Sequence, residues 1–181
     1  MMKTYIALFR GINVGGNNRL PMKELRALLE ELDAENVKTY IQSGNAAFRH
    51  TTNDVDQLAE RISSAIEESH GFAPRVLLLD AANVEKAAAS NPFPEADAEP
   101  KTLHLYFLTS TPQNPDLSTL DALKKDNEQY KLTDNVFYLY APDGIGRSKL
   151  AERAEKALGV AATARNWRTV GKIMEMVSEV G

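Results

Sequence analysis

The sequence predicts an α+β protein made of two ferredoxin-like subdomains of the βαββαβ type, with antiparallel sheets and a C-terminal helical extension. Short β-rich runs alternate with amphipathic helical patterns over the first half of the 181 residues, in the order β-α-β-β-α-β. A Pro- and acid-rich stretch at residues 91–100 separates this half from a second half of similar order. The composition, with 43% hydrophobic and 25% charged residues, is that of one folded domain or of two small ones packed together.

The predicted N-terminal subdomain covers residues 1–90 and begins with a strand at residues 4–10 that ends at Gly11. A glycine-bearing loop follows, and Pro21 then stands where the first turn of a helix favours proline, ahead of leucines at helical spacing. The remaining elements are strands at 37–42 and 46–50 joined by a tight turn, a helix at 54–70 that ends before Gly71, a strand at 75–79 and a connecting helix at 80–90.

The predicted C-terminal subdomain covers residues 91–181 and again begins with a strand, followed by a helix, a hairpin and a second helix. These elements fall at residues 102–109, 115–125, 129–132 with 136–140, and 149–158. A last helix is expected at residues 163–180, with Thr163 as its N-cap. On this interpretation the second half follows β-α-β-β-α and ends in an extra helix instead of a fourth strand.

Several classes of function are excluded because the chain lacks Cys and because its His residues do not have the spacing of metal ligands. The sequence has no Cys, which excludes disulfides, thiolate catalysis and Cys-ligated metal centres. Its three His residues have no metal-ligand spacing, so no metal and no cofactor are expected, and no catalytic residue is identified. No run approaches the ~18–20 apolar residues of a membrane span and no signal peptide is recognised. We therefore expect a cytoplasmic protein without a membrane partner. The sequence does not determine its oligomeric state.

Positive charge is concentrated in two glycine-bearing segments near the ends of the chain. Residues 1–26 hold five basic residues and one acid, and residues 142–172 hold seven basic residues and three acids. The formal net charge is nevertheless −4, so the rest of the chain carries a large negative excess. Each segment places a polar loop beside the start of a predicted helix, which is where backbone amides favour an anion.

Topology predicts that the first segment forms a polar rim on one edge of a sheet. In a split βαβ unit the first and second strands run parallel, so the loop after strand one and the turn after strand two leave the same edge. This gathers neutral donors with cations and no carboxylate. The residues predicted to bind a ligand there are Arg10, Asn13, Gly15, Gly16, Asn17, Arg19, Gln42, Ser43 and Asn45. The alternative is a long turn whose Gly and Asn residues only satisfy backbone geometry.

The second segment combines cations with two helix starts. Arg165 and Arg168 fall in the first turns of the predicted last helix, where the helix dipole disfavours cations by ~0.3–1 kcal/mol each. Either salt bridges or anion binding would explain them, and Arg is suited to bidentate capture of phosphate or carboxylate. The residues predicted to bind a ligand in this segment are Arg147, Ser148, Lys149, Arg165, Asn166 and Arg168.

The same segments carry a resemblance to a known family. Residues 5–16 read Tyr-Ile-Ala-Leu-Phe-Arg-Gly-Ile-Asn-Val-Gly-Gly, residues 39–45 read Thr-Tyr-Ile-Gln-Ser-Gly-Asn, and residues 162–170 read Ala-Thr-Ala-Arg-Asn-Trp-Arg-Thr-Val. Together with Ser148-Lys149-Leu150 and Leu158-Gly159-Val160, these motifs resemble the bacterial domain of unknown function 1697 family. The resemblance implies two ferredoxin-like subdomains in a soluble bacterial protein, and it supplies no activity.

Three classes of function follow as hypotheses. The first is a binding module for a phosphate-bearing ligand, either a small phosphorylated molecule such as a nucleotide or a nucleic-acid backbone. The second is an enzyme acting on a small phosphorylated or carboxylated substrate, in which Ser43 or His70 would lie in a closed pocket. The third is an interaction protein whose acidic middle and basic ends pair between subunits.

Overall fold

The computed structural model describes residues 1–41 and 44–181, so Gln42 and Ser43, both predicted ligand-binding residues, lie outside the described residues. The chain forms two compact units, one made of Met1–Lys86 together with Gly171–Gly181 and the other of Ala87–Val170. The predicted division into residues 1–90 and 91–181 assigned the whole C-terminal helix to the second half. The last part of that helix instead packs with the first unit, where the Val180 carbonyl accepts a hydrogen bond from Asn36.

The first unit contains a four-stranded antiparallel sheet in the order β2-β3-β1-β4, as the ferredoxin-like pattern predicts. Its elements are β1 (Lys3–Arg10), α1 (Met22–Glu31), β2 (Glu35–Tyr40), β3 (Asn45–His50), α2 (Val55–His70) and β4 (Arg75–Asp80). Alternation along β1 places Tyr5, Ala7 and Phe9 on the face covered by the two helices. Leu25 and Leu29 of α1 pack into the same core, together with Leu58, Ile62 and Ile66 of α2.

The second unit repeats this topology with a sheet in the order β6-β7-β5-β8. After the connecting helix α3 (Ala81–Ala89) come β5 (Leu103–Leu108), α4 (Leu117–Leu123), β6 (Gln129–Leu132), β7 (Val136–Tyr140), α5 (Lys149–Leu158), β8 (Ala162–Asn166) and α6 (Trp167–Val180). Its core is formed by one face of β5 and β7 packed against α4 and α5. The buried residues of that core include Tyr106, Leu108, Leu120, Phe137, Leu139, Leu150 and Leu158.

The prediction that the second half lacks a fourth strand is wrong. Residues 162–166 form β8, which pairs antiparallel with β5 from the Leu108–Ala162 pair to the His104–Asn166 pair. Thr163 is therefore a buried strand residue and not an N-cap. Helix α6 begins four residues later than expected, after Asn166, whose side-chain oxygen accepts a 2.9 Å hydrogen bond from the Thr169 amide as an N-cap does. Both units thus complete the βαββαβ order, and α6 is the C-terminal extension.

Candidate anion-binding site

The edge of the first sheet gathers the loops that topology predicted. Leu8 of β1 and Tyr40 of β2 are both register partners of Asn45, so the ends of β1 and β2 meet the start of β3 at one edge. The amide of Phe9 donates a 3.0 Å hydrogen bond to the Gly44 carbonyl at this point. The prediction that the loop at residues 11–20 lies beside the turn after β2 is therefore confirmed for the described residues.

The loop at residues 11–20 is a small hairpin that satisfies its own polar groups. The amide of Asn17 donates to the Val14 carbonyl at 2.9 Å, and Gly15 and Gly16 between them have φ of 57° and 78°, as a type I′ turn requires. Below the turn, the Asn13 side chain donates to the Leu20 carbonyl at 2.9 Å and accepts from the Leu20 amide at 2.7 Å. At the base of the loop, the side-chain amide of Asn18 donates a 2.9 Å hydrogen bond to the Gly11 carbonyl.

These bonds divide the predicted ligand-binding residues of the first segment into two groups. Asn13 holds the loop through its side-chain amide, and fully buried Asn45 donates to the Tyr40 carbonyl at 3.1 Å, so both serve the fold. The second group is exposed at the edge and consists of Arg10, Gly15, Gly16, Asn17 and Arg19. The alternative interpretation, in which the loop residues only satisfy backbone geometry, is therefore supported for Asn13. Asn45 has a similar structural role at the start of β3.

Replacing Asn13 with alanine is expected to lower the free energy of unfolding by about 1–2 kcal/mol, because two hydrogen bonds to Leu20 disappear. The loss is increased by the φ of 52°, which Asn tolerates better than Ala. Urea unfolding monitored by circular dichroism measures the change. The exposed neighbour Asn17→Ala serves as the control and should stay within about 0.5 kcal/mol of the native protein. Equal effects of the two substitutions would contradict the assignment of Asn13 as a structural residue.

A carboxylate also reaches this edge, contrary to the prediction of a rim without acids. Nε2 of His70, the last residue of α2, lies 2.8 Å from Oε2 of Glu24 in the first turn of α1. The other ring nitrogen, Nδ1, lies 2.7 Å from the hydroxyl of Ser69, which itself donates to the Ala65 carbonyl. The carboxylate at the start of α1 suits the helix dipole, and its contact with His70 joins α1 to α2.

The second segment lines an open depression of about 460 Å³ at the start of α5. The lining residues are Tyr106, Ile145, Gly146, Arg147, Ser148, Lys149, Ala151 and Glu152. Arg147 and Lys149 are exposed, whereas Ser148 is buried and accepts a 3.1 Å hydrogen bond from the Ala151 amide as the N-cap of the helix. Three predicted ligand-binding residues are thus brought together around the positive end of a helix, with the carboxylate of Glu152 as the only acid in the lining.

A second helix begins at the same edge of this sheet. Tyr140 at the end of β7 pairs with Leu103, and Asn166 at the end of β8 pairs with His104, so both strands end beside the start of β5. Asn166 caps α6, and Arg168 is exposed in its first turn. The predicted residues Asn166 and Arg168 therefore lie at the same sheet edge as the segment that leads from β7 to α5.

Arg165 takes a different position from the one predicted. It lies in β8 opposite Leu105 and not in the first turn of a helix, and one guanidinium nitrogen donates a 2.9 Å hydrogen bond to the Ala164 carbonyl. Burial lowers its pKa to about 10. The guanidinium remains charged at neutral pH, and Arg165 is a partly buried residue of the second sheet and not one of the exposed cations at a helix start.

The aromatic wall of the depression was missed by sequence reasoning. Tyr106 projects from β5, and burial, with a smaller contribution from Glu155, raises the pKa of its phenol to about 12. The hydroxyl therefore stays protonated at neutral pH and keeps its ability to donate a hydrogen bond. The alternation in residues 103–108 indicates a buried tyrosine, but only the fold places it beside Arg147 and Lys149.

The three histidines have distinct environments. His50 is buried and bonded through both ring nitrogens, to the Leu32 carbonyl and the Thr52 amide, and His70 is bonded as described above. Nδ1 of His104 is buried without a hydrogen-bond partner among the described residues. Within residues 1–41 and 44–181, no group of three His, Asp or Glu side chains is placed to hold a metal ion. None of the helices in that part of the chain is long and apolar enough to cross a membrane.

Comparison with known proteins gives a family and a fold. A family model described as Protein of unknown function (DUF1697) matches residues 2–138. The chain is similar to a solved structure, the conserved bacterial protein SP0830 from Streptococcus pneumoniae, at 27% sequence identity and a TM-score of 0.69 over 98% of this chain and 99% of that one. No curated protein matches the chain. Because the family model covers well over half of its residues, this chain belongs to the DUF1697 family.

Proposed function

We propose that the protein binds a phosphate-bearing ligand in the depression at the start of α5. The observation that carries the proposal is the convergence of Arg147, Lys149 and the N-terminus of α5 on one open depression of about 460 Å³. A helix N-terminus offers oriented backbone amides to an anion, and an arginine can add two parallel hydrogen bonds to phosphate oxygens. The volume is sufficient for a phosphate group with part of the molecule that bears it.

The charge distribution around the depression supports an anionic ligand. Two cations stand at the positive end of a helix, where they oppose the dipole by about 0.3–1 kcal/mol each. Arg168 repeats this arrangement in the first turn of α6 at the same sheet edge. Glu152 offsets one charge in the lining, so the net excess is modest and favours a ligand of low charge over a general polyanion.

The enzymatic alternative receives less support from the geometry. A general base needs a ring nitrogen or carboxylate that can reach a substrate proton. Both ring nitrogens of His70 are already engaged, with Glu24 on one side and Ser69 on the other. We therefore favour ligand binding in the depression beside α5 over a reaction that uses His70 as a general base.

A thermal-shift screen of nucleotides and phosphorylated metabolites tests the proposal, since a ligand that prefers the folded state raises the melting temperature. The critical comparison is between two double variants with the same change of charge. Arg147→Gln with Lys149→Gln removes both cations of the depression, whereas Arg153→Gln with Lys156→Gln removes exposed cations further along the same helix. We expect the first pair to weaken binding by at least about a hundredfold, because each of the two charge-assisted hydrogen bonds that it removes contributes about 1.5–3 kcal/mol. The second pair should leave binding unchanged.

The salt dependence of binding separates the two forms of ligand. A nucleic-acid backbone releases counterions at each phosphate contact, so affinity for it falls steeply with salt concentration. A small phosphorylated ligand gives a shallower dependence. Absence of any melting-temperature shift across the screen, or equal binding by the two double variants, would overturn the proposal.

A further inference from the structure

We propose that Tyr106 is a ligand-contacting residue of the depression beside α5, and that the ligand carries a terminal phosphate group, as a phosphate monoester does. The hydroxyl of Tyr106 donates a hydrogen bond to one of the phosphate oxygens. This inference rests on the function proposed above and makes it more specific in two ways. It adds a neutral donor on β5 to the cations at the start of α5, and it selects terminal phosphates over the phosphodiesters of a nucleic-acid backbone.

Tyr106 is a buried residue whose polar atom has no partner within the described residues. It is only 9% exposed, and its ring packs edge-on against Phe137 with the centroids 5.5 Å apart. Its hydroxyl makes no hydrogen bond to another described residue. The two other buried tyrosines, Tyr5 and Tyr138, each donate to a backbone carbonyl, at 2.8 Å and 2.7 Å. Because a buried tyrosine hydroxyl normally has a partner, the exception at Tyr106 indicates a partner from outside the chain.

The hydroxyl of Tyr106 opens on the depression. Three polar side-chain atoms of the described residues are sealed from solvent without a hydrogen-bond partner, and they belong to Arg49, His104 and Thr163. The Tyr106 hydroxyl is not one of them, so this oxygen is accessible to solvent, and the depression that Tyr106 lines is where solvent reaches it. A phosphate oxygen that enters the depression can take the place of water as the acceptor without loss of a hydrogen bond.

The two cations of the depression are available to an anion. Arg147 and Lys149 are exposed, and the side chain of neither makes an ion pair or a hydrogen bond with another residue in the described part of the chain. Glu152 lies three residues after Lys149 in the first turn of α5 without pairing with it. Glu155, one turn further along α5, accepts a 3.2 Å hydrogen bond from the Ala162 amide. The positive charge beside Tyr106 is therefore not neutralised by these carboxylates.

Two backbone amides at the start of α5 are also unused. The side chain of Ser148 accepts a hydrogen bond from the Ala151 amide, and its carbonyl accepts one from the Glu152 amide, both at 3.1 Å. The amides of Lys149 and Leu150, the first two residues of the helix, are left without a hydrogen bond to any described residue. Amides in this position of a helix point toward an anion at its N-terminus.

The arrangement of these donors favours a terminal phosphate over a phosphodiester. The donors come from three places, which are strand β5, the turn at residues 145–147 and the first turn of α5. A terminal phosphate has three free oxygens and a charge of about −1.5 to −2 near pH 7, so it can meet donors from three sides and match two cations. A phosphodiester has only two such oxygens and one charge, and its chain continues on both sides.

Titration of the isotope-labelled protein with methyl phosphate and with its diester, dimethyl phosphate, tests the inference when the amides of residues 147–151 are followed by NMR. We expect the native protein to bind methyl phosphate more tightly than dimethyl phosphate. Tyr106→Phe should weaken methyl phosphate binding at least about tenfold, because a hydrogen bond to a charged oxygen is lost. The matched control is Tyr130→Phe, which removes a hydroxyl that is bonded to Asp121 at 2.6 Å, and it should bind as the native protein does.

The outcomes distinguish this inference from the function on which it rests. If methyl phosphate binding is lost in the Arg147→Gln, Lys149→Gln double variant but unchanged in Tyr106→Phe, the proposed function stands and the role of Tyr106 is overturned. Equal affinity of the native protein for the two esters overturns the selection of a terminal phosphate, and binding of neither overturns the proposed function as well. The melting temperature of Tyr106→Phe should stay at the native value, and a marked decrease would assign the hydroxyl a structural role instead.

Discussion

Replacing Gly44 with alanine is expected to lower the free energy of unfolding by about 3–4 kcal/mol. A Cβ built at this position would lie 2.6 Å from Cδ1 of Ile12 and 2.7 Å from Cβ of Phe9, and the φ of 87° is one that alanine adopts only under strain. The Phe9 contact is the harder one to relieve, because its Cβ is fixed by the backbone of β1. Chemical denaturation of the variant and the native protein measures the effect.

The control separates the clash from the backbone conformation. Gly11 has a φ of 81° at the same edge, but a Cβ added there would meet nothing within 4 Å. Gly11→Ala should therefore show only the conformational penalty of about 1–2 kcal/mol. If the two variants were equally stable, the close packing of the loop at residues 11–20 against the turn after β2 would be contradicted.

The protein is expected to lose up to about 3 kcal/mol of stability through His104 as the pH falls from 6.5 to 4. Burial lowers the pKa of His104 from its ordinary value of 6.5 to about 4, so in this interval the unfolded chain binds a proton that the folded protein excludes. Stability from this group is complete above pH 6.5, falls through the interval and reaches its lower limit below pH 4. Carboxylates titrate over part of the same range, so the comparison must isolate the histidine.

His104→Gln provides that comparison, because glutamine does not titrate. Urea unfolding of both proteins at several pH values gives the difference in free energy of unfolding at each. We expect this difference to shift by about 3 kcal/mol in favour of the variant between pH 6.5 and pH 4, whatever its value at neutral pH. A difference that stays constant with pH would show that His104 is solvated in the folded protein.

Much of the fold could be predicted because local pattern and tertiary structure agree. The hydrophobic run in β1 and the helical spacing of leucines in α1 each match their observed element. The hairpin of β6 and β7 and the helix α5 were predicted with the bounds that the structure has. In these segments the apolar period, the caps and the turns all favour one conformation.

Strand β8 could not be predicted from the sequence, and the reason is physical. Its sequence, Ala-Thr-Ala-Arg-Asn, contains no large hydrophobic residue and two alanines, so its intrinsic preference is helical and not extended. The strand forms because β5 presents a free edge with which residues 162–166 can pair. That pairing is a tertiary effect, and it also moves the N-cap of α6 from Thr163 to Asn166.

The sites were predictable in composition but not in arrangement. Crowding of cations and glycines near the chain ends indicated where an anion could bind, and Arg147 and Lys149 do line a depression. The first segment, however, uses Asn13 and Asn45 to hold the backbone. Tyr106 was not predicted because its position in the lining depends on which face of β5 is covered.

The most direct test of phosphate binding beside α5 is a titration of the isotope-labelled protein with inorganic pyrophosphate, followed by two-dimensional amide NMR. We expect the largest chemical-shift changes on the amides of residues 147–151, at the start of α5, and we expect these changes to disappear in the Arg147→Gln, Lys149→Gln double variant. Amides of the loop at residues 11–20 should stay in place. Chemical-shift changes confined to that loop, or no change at any residue up to millimolar pyrophosphate, would contradict phosphate binding beside α5.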